Sequence, residues 1–316
     1  MIRSYPSVMP STFLATNQPI ARVTVAGVGV MGAQIAFQCA FSGIDVVVYD
    51  VDAACLVRAS ARFDALGRAY AADLGAAREQ IEASLARIEG NTDIGSAVGD
   101  ANLVIEAIPE DLAIKQSFYS ALSGVAPVGA IFASNSSTLV PSQLAIFTDR
   151  PERVLNLHFA HEVWKHNIAE VMGHPGTDPV VFERVVRFAH RIGMVPLPLR
   201  KEHSGYLLNT MLVPMLIAAL GLLVNDVADV PTIDKAWMIA KGDRIGPFGI
   251  LDGIGMSTVY NVTRSLAERT GDPTHRRIAE YVKANLIDTG RLGESSGRGF
   301  YRYPDPDFRN PTFAAV

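Results

Sequence analysis

The chain has 316 residues, 49% of them hydrophobic and 19% charged, with 28 lysines and arginines set against 32 aspartates and glutamates. That is enough apolar material for two cored domains, and the net charge of -4 excludes nucleic acid as a major partner, because phosphate binding calls for a basic surface. Cys39 and Cys55 have neither the number nor the spacing of a disulfide framework or a zinc site, which fits a reducing, cytoplasmic setting.

Residues 1–20 contain Arg3, Pro6, Pro10 and Pro19 and no continuous apolar run, so they read as a disordered leader and not as a signal peptide. Residues 21–200 read as one domain. Short β-branched runs at residues 23–25, 46–49, 103–107, 130–133, 154–157, 168–172 and 194–199 alternate with helical stretches, the pattern of a largely parallel sheet covered on both faces. Between residues 52 and 90 no strand is evident. That stretch is rich in Ala, Leu and Arg and breaks at Gly75, so a helical pair inserted after the second strand is expected.

After Arg200-Lys201-Glu202-His203 the pattern becomes all-helical, which predicts a second domain over residues 201–316. Its first helix, within residues 204–225, carries no charge. Asn209, Thr210, Pro214 and Gly221 interrupt it and no second span accompanies it, so a helix buried in protein is expected in preference to a membrane span. Its continuous hydrophobicity exceeds what one small helical domain covers, which predicts a homodimer. Further helices are expected near residues 232–240, 257–269 and 275–286.

Gly27-Val28-Gly29-Val30-Met31-Gly32 follows the first strand and opens a helix. Gly27 permits the tight turn, Gly29 lets the backbone approach a pyrophosphate, and Gly32 allows close helix–strand packing. The second strand ends at Asp50, 23 residues after Gly27. An acid there accepts bonds from the adenosine ribose hydroxyls and repels a 2′-phosphate, which favours NAD over NADP. A mere strand-end turn aspartate is the plainer alternative.

Among the seven histidines, His158 stands out because it ends the run at residues 154–157 while Glu170 lies in the next run. If the chain doubles back between them, the carboxylate fixes the imidazole tautomer and leaves the other ring nitrogen to exchange a proton with a substrate hydroxyl. Spacing alone leaves a structural histidine open. His161, Lys165 and His166 lack metal-ligand spacing and read as solvated loop residues; no metal is expected.

Several ordered motifs carry a resemblance beyond the glycine fingerprint: VAGVGVMGAQIA, LVIEAIPEDLAIK, IFASNSSTL, LHFA, AEVMG, SGYLLNTMLVP, GPFGILDGIG and SGRGFYRY. Together they resemble the 3-hydroxyacyl-CoA dehydrogenase family from Arg22 to Tyr303. The resemblance implies a Rossmann-type NAD domain, a helical substrate and dimerisation domain, and reversible oxidation of a 3-hydroxy to a 3-keto group in fatty acid metabolism. It implies that His158 is the base and Glu170 its orienting partner, with Ser137 and Asn209 bonding the reacting oxygen. Glu110, Lys115 and Asn135, with Met31 in the fingerprint, would lie along the cofactor.

The chain departs from that pattern in two places. The family's His-Phe-x-Asn-Pro reads His158-Phe159-Ala160-His161-Glu162, and the helical pair has no lysine between Val51 and Gly90 to meet a CoA nucleotide. Around His158, Glu170 and residues 232–237 the sequence looks closer to the diketoreductase branch, whose members reduce bulky diketo esters. Trp164 and Trp237 then become candidates for an aromatic wall against a CoA-free substrate, or else core or dimer contacts. A sugar-acid or carnitine dehydrogenase, and a crystallin-like protein that binds NAD without turnover, are the further alternatives.

Overall fold

Eight strands lie side by side in the order β3-β2-β1-β4-β5-β6-β7-β8 in the computed structural model, which describes residues 19–314. The strands are β1 (Arg22–Ala26), β2 (Asp45–Tyr49), β3 (Ile88–Asn91), β4 (Leu103–Glu106), β5 (Ile131–Ser134), β6 (Val154–Phe159), β7 (Ile168–Gly173) and β8 (Val195–Leu199). Every neighbouring pair is parallel except β6 and β7, which run antiparallel. Helices α1 (Val30–Phe41), α2 (Ala53–Leu74), α3 (Arg78–Leu85), α4 (Ile94–Val98), α5 (Leu112–Val125), α6 (Pro141–Ala145) and α7 (Pro179–Arg191) connect them.

Strand alternation divides the side chains between two cores. Val46, Val48, Val23, Val25, Leu103, Ile105, Ile131, Ala133, Leu155 and Leu157 join one cluster with α1, α2 and α7. The residues between them, including Tyr49, Val104, Phe132 and Val154, join a second cluster with Phe118, Tyr119 and Leu122 of α5. On that second face the apolar run gives way to buried polar residues toward the strand ends: Glu106 on β4, Ser134 on β5, Asn156 and His158 on β6, and Glu170 on β7. Chemistry therefore collects on one face, largely at the carboxyl ends, where open parallel sheets hold ligands.

The expected helical pair is α2 and α3, with Gly75 as the left-handed cap of α2 at φ +67°. The strand β3 was not anticipated. Ile88-Glu89-Gly90-Asn91 carries one branched apolar residue, and as an edge strand it pairs only with β2, so no hydrophobic alternation is required of it. At the opposite edge, Pro196 and Pro198 blunt β8, because neither has an N–H to offer a further strand. The expected leader falls on residues 1–18, outside the described residues. Ile20, included in that expectation, is instead a core residue, and its carbonyl oxygen accepts a 2.8 Å bond from Arg191.

Contacts divide the chain into two compact units, with the first ending at Tyr206 and the second beginning at Leu207. Residues 200–206 stay with the first unit. The Glu202 carboxylate accepts from the Ser142 N–H at 2.7 Å, and the Ser204 hydroxyl donates to the Thr138 carbonyl oxygen at 2.8 Å. The second unit comprises α8 (Leu208–Val224), α9 (Val230–Lys241), α10 (Pro247–Ile254), α11 (Met256–Thr270) and α12 (Pro273–Val282) around their own core. Although α8 is apolar apart from Asn209 and Thr210, only Leu216, Ala219 and Leu220 are buried within the chain, while Met211 and Leu222 are exposed. No helix among the described residues is long and apolar enough to cross a membrane.

Two buried carboxylates organise this unit. Asp252 accepts from the backbone N–H groups of Phe300 and Tyr301 at 2.8 Å and from the Tyr303 hydroxyl at 3.1 Å. Asp234 accepts from the Phe248 N–H and the Tyr301 hydroxyl. Burial pushes both carboxyls above their ordinary range, and the donors only partly offset it. Asp252→Ala strands three donors of the returning C-terminal segment, two of them backbone N–H groups. It should lower stability by about 3 kcal/mol, since unsatisfied buried donors cost about 1–3 kcal/mol each. Urea unfolding followed by tryptophan fluorescence checks this, and an unchanged midpoint would remove Asp252 from the stabilising network.

Candidate active site

The turn between β1 and α1 shows why glycine is needed at two of the three fingerprint positions. Gly27 has φ +91°, and a Cβ there would lie 2.6 Å from the Ala107 carbonyl oxygen. A Cβ on Gly32 would fall 1.8 Å from the Gly27 carbonyl oxygen, so α1 reaches its position only without one. Gly29 differs from both: it is the N-cap of α1, supplies no side-chain cap, and a Cβ there would meet nothing within 4 Å. The first N–H groups of α1 have no partner within the helix and no side-chain cap, a helix start suited to a pyrophosphate, and the residues present fit a dinucleotide. Met31, in the first turn, packs partly buried against the core.

Asp50 follows β2 and is held against this turn, accepting from the Val28 N–H at 3.2 Å and the Asp52 N–H at 3.3 Å. No arginine pairs with it among the described residues. Arg58 reaches Asp52 at 3.8 Å and the Cys55 sulfur at 2.9 Å, and Arg62 donates to the Val28 carbonyl oxygen at 3.4 Å.

Beneath the turn lies an ion pair that the sequence did not announce. Glu106 is fully buried and accepts from Lys115 Nζ at 2.5 Å, Ser134 Oγ at 2.6 Å and the Ile108 N–H at 3.0 Å. Lys115, only 1% exposed, also lies 3.3 Å from Glu110. Lys115, expected along the cofactor, has its side chain between the carboxylates of Glu106 and Glu110. Burial alone would raise the Glu110 carboxyl. Bonds from the Ser136 hydroxyl and from the Thr138 hydroxyl and N–H, together with the Lys115 charge, hold it below the usual range.

Asn135 and Ser137 belong to the turn after β5. The Asn135 amide oxygen accepts from the Phe159 N–H at 2.9 Å, which ties this turn to β6. Ser137 Oγ lies 3.1 Å from His158 Nε2, and His158 Nδ1 lies 2.8 Å from Glu170 Oε2. His158 and Glu170 are direct cross-strand partners in the antiparallel β6–β7 pair, and both are buried. A carboxylate only accepts, so Nδ1 carries a proton toward Glu170, and Nε2 is the ring nitrogen that faces Ser137. The strand continues past His158 to Phe159, one residue beyond the expected strand end.

Tyr206, unremarked in the sequence, stacks on His158 with ring centroids 4.4 Å apart and planes 20° from parallel. Its hydroxyl donates to the Ser136 carbonyl oxygen at 2.6 Å and accepts from Asn156 Nδ2 at 2.7 Å. Burial pushes the phenol well above its ordinary value, so it remains a neutral hydroxyl. Asn209 sits in the first turn of α8, half-buried, in the second unit.

The two tryptophans belong to different units and each is described by its own contacts. Trp164 lies 5.5 Å from the Tyr70 ring, and its Nε1 donates to Asp73 at 2.8 Å, which fixes the loop after His158 to the end of α2. Trp237 is on α9, where its Nε1 donates to Asp243 at 2.7 Å. His161 and His166 are exposed, and Lys165 pairs with Asp73 and Glu162.

A parallel sheet with a glycine turn, a helix start without a side-chain cap and an acid after the second strand defines an NAD-dependent oxidoreductase of the Rossmann type. The chain belongs to the 3-hydroxyacyl-CoA dehydrogenase family. The NAD-binding domain of that family matches residues 22–203, and its C-terminal domain matches residues 205–303. Human mitochondrial hydroxyacyl-coenzyme A dehydrogenase is 32% identical over 308 residues, covering 96% of this chain and 97% of the relative. A 3-hydroxybutyryl-CoA dehydrogenase of Mycobacterium tuberculosis is 31% identical, covering 91% and 100%. Among solved structures, a diketoreductase described in connection with dual catalysis of dicarbonyl compounds has a TM-score of 0.85 at 48% identity, covering 90% of this chain and 100% of its own. The (S)-3-hydroxybutyryl-CoA dehydrogenase of Ralstonia eutropha has a TM-score of 0.77 at 28% identity, covering 90% and 100%.

Because Asp50 is anchored by two backbone N–H groups and no cation among the described residues pairs with it, NADH should be preferred to NADPH by about 100-fold in kcat/KM, the scale of an unfavourable like-charge contact. Asp50→Ala should narrow that ratio by weakening NADH use. Steady-state assays with both cofactors check it, and equal use by the wild type would remove Asp50 from ribose recognition.

Proposed function

We propose that this protein interconverts a 3-hydroxy and a 3-keto group, with His158 as its acid–base residue. The observation that carries this reading is the buried line Ser137–His158–Glu170, with contacts of 3.1 and 2.8 Å, beside a turn fitted to a dinucleotide. NAD, held along Gly27, Gly29, Gly32 and Asp50 with Glu110 and Asn135 nearby, supplies a hydride acceptor, and its reduced form a hydride donor. In the oxidising direction His158 Nε2 takes the proton of the substrate hydroxyl, and in the reducing direction it returns one. Glu170 keeps the proton on Nδ1 and stabilises the imidazolium. Ser137, released from Nε2 by the substrate, donates to the reacting oxygen as its negative charge grows, and Asn209 is assigned the same task by family resemblance.

The family relationship supports a 3-hydroxyacyl-CoA as substrate. A CoA-free keto or diketo ester is the second reading, favoured by the 48% identity to a diketoreductase and by the absence of lysine from residues 52–89. A pure NAD binder has no need of a buried imidazole–carboxylate pair opened toward a serine. We further propose a cytoplasmic homodimer built on α8, because that helix leaves Met211, Leu222 and much of its apolar surface uncovered in one chain.

His158→Ala should lower kcat by about 100- to 10,000-fold on whichever of acetoacetyl-CoA and a diketo ester proves the better substrate, with the NADH dissociation constant nearly unchanged. Glu170→Gln keeps the shape and should cost less. The double variant should be only slightly worse than His158→Ala, because the two act as a unit. Near-wild-type kcat in His158→Ala would overturn the mechanism. For the dimer, sedimentation equilibrium should give twice the chain mass at micromolar concentration, and a well-behaved monomer would count decisively against α8 as an interface.

A further inference from the structure

We propose that Tyr206 is a positioning residue for His158. This rests on the acid–base reading of His158 given above. Glu170 at Nδ1 and Ser137 at Nε2 meet the imidazole at its edges, so the face of the ring still needs a support. Tyr206 supplies it by lying against the face of the ring, 4.4 Å away and 20° from parallel. The hydroxyl then bonds to both structures that bear the reacting groups. It donates to the carbonyl oxygen of Ser136, adjacent to Ser137, and accepts from Asn156, two residues before His158 on β6 and on the same face. Asn156 also donates to the Leu139 carbonyl oxygen at 2.8 Å, closing the connection between turn and strand. One side chain thus sets the tilt of the imidazole and the separation of Ser137 from Nε2.

The backbone agrees with this assignment. Tyr206 has φ +54°, a left-handed conformation that is rare for an aromatic residue, and follows Gly205 at φ +86°. Such conformations persist where surrounding contacts over-determine them, and they cluster at functional sites. Here the contacts include the stacked ring, the two hydroxyl bonds and the Tyr206 N–H to the His203 carbonyl oxygen. The ring is buried and its phenol is neutral.

The test is a double-mutant cycle. Tyr206→Leu removes the ring face. It should lower kcat by about 10- to 100-fold, the scale of an ångström-sized misplacement of a catalytic group, while KM and the NADH dissociation constant stay within about twofold. Tyr206→Phe restores the face without the hydroxyl and should recover most of the lost kcat. In the His158→Ala background no imidazole remains to be positioned, so adding Tyr206→Leu should leave the residual rate nearly unchanged. Should the leucine variant fail to accumulate, Tyr206→Met, close in volume and without a ring, carries the same expectations. The proposal is overturned if Tyr206→Leu keeps wild-type kcat, or if it lowers the rate of His158→Ala by the factor it lowers the wild type. Near-wild-type kcat in His158→Ala alone would instead overturn the acid–base reading, so the two failures are told apart.

Discussion

The antiparallel return of β7 along β6 sets His158 directly opposite Glu170, and the arrangement of the first unit depends on that pairing. A buried carboxylate is tolerated only when paired and hydrogen-bonded. A slip of one residue would turn Glu170 to the other face of the sheet, among the cluster that holds Ala169 and Val171, and leave the charge without its partner. The apolar alternation of β6 and β7 and the demand of a buried charge therefore select the same register. A dyad built in this way needs no loop to define it; two strands of a rigid sheet fix its geometry.

The same logic recurs at the neighbouring strands. Glu106 tolerates burial because Lys115, Ser134 and a backbone N–H satisfy it, and Lys115 passes the constraint to Glu110. Glu110 in turn accepts from Ser136 and Thr138, which flank Ser137, and the Ser136 carbonyl oxygen accepts from Tyr206. A continuous polar chain thus runs from below the glycine turn to the imidazole on a single face of the sheet. In such a chain, losing one member is worse than replacing the whole with apolar residues, because the survivors keep their burial and lose their partners.

How much of this was legible in the sequence follows from the range of the interactions. The glycine turn, Asp50 and the helical pair are local: each is specified by a few adjacent residues and a 3.6- or 2-residue period. Ser137, His158 and Glu170 were legible through their motifs, although only the reversed strand shows how they meet. Tyr206 was not, because it lies in a stretch that reads as the start of an apolar helix, and its ring partner is 48 residues away. Trp164 was left between substrate wall and core for a similar reason, since its hydrogen-bond partner Asp73 is 91 residues distant. The edge strand β3 escaped because one-sided pairing imposes no pattern on the residues that form it.

The attachment of Trp164 to the end of α2 has a consequence for anyone redesigning substrate range. Its indole donates to Asp73, its ring sits beside Tyr70, and Lys165 adds a second tie to the same carboxylate. Tyr70 is itself bonded to Gln38 of α1. The inserted helices and the residues just past His158 are therefore one inheritable cassette. A chimera that imports the helices of a homologue while keeping the native 160–167 loop would leave Trp164, five residues past Phe159, without a seat. Grafts between members of this family should accordingly exchange both stretches together.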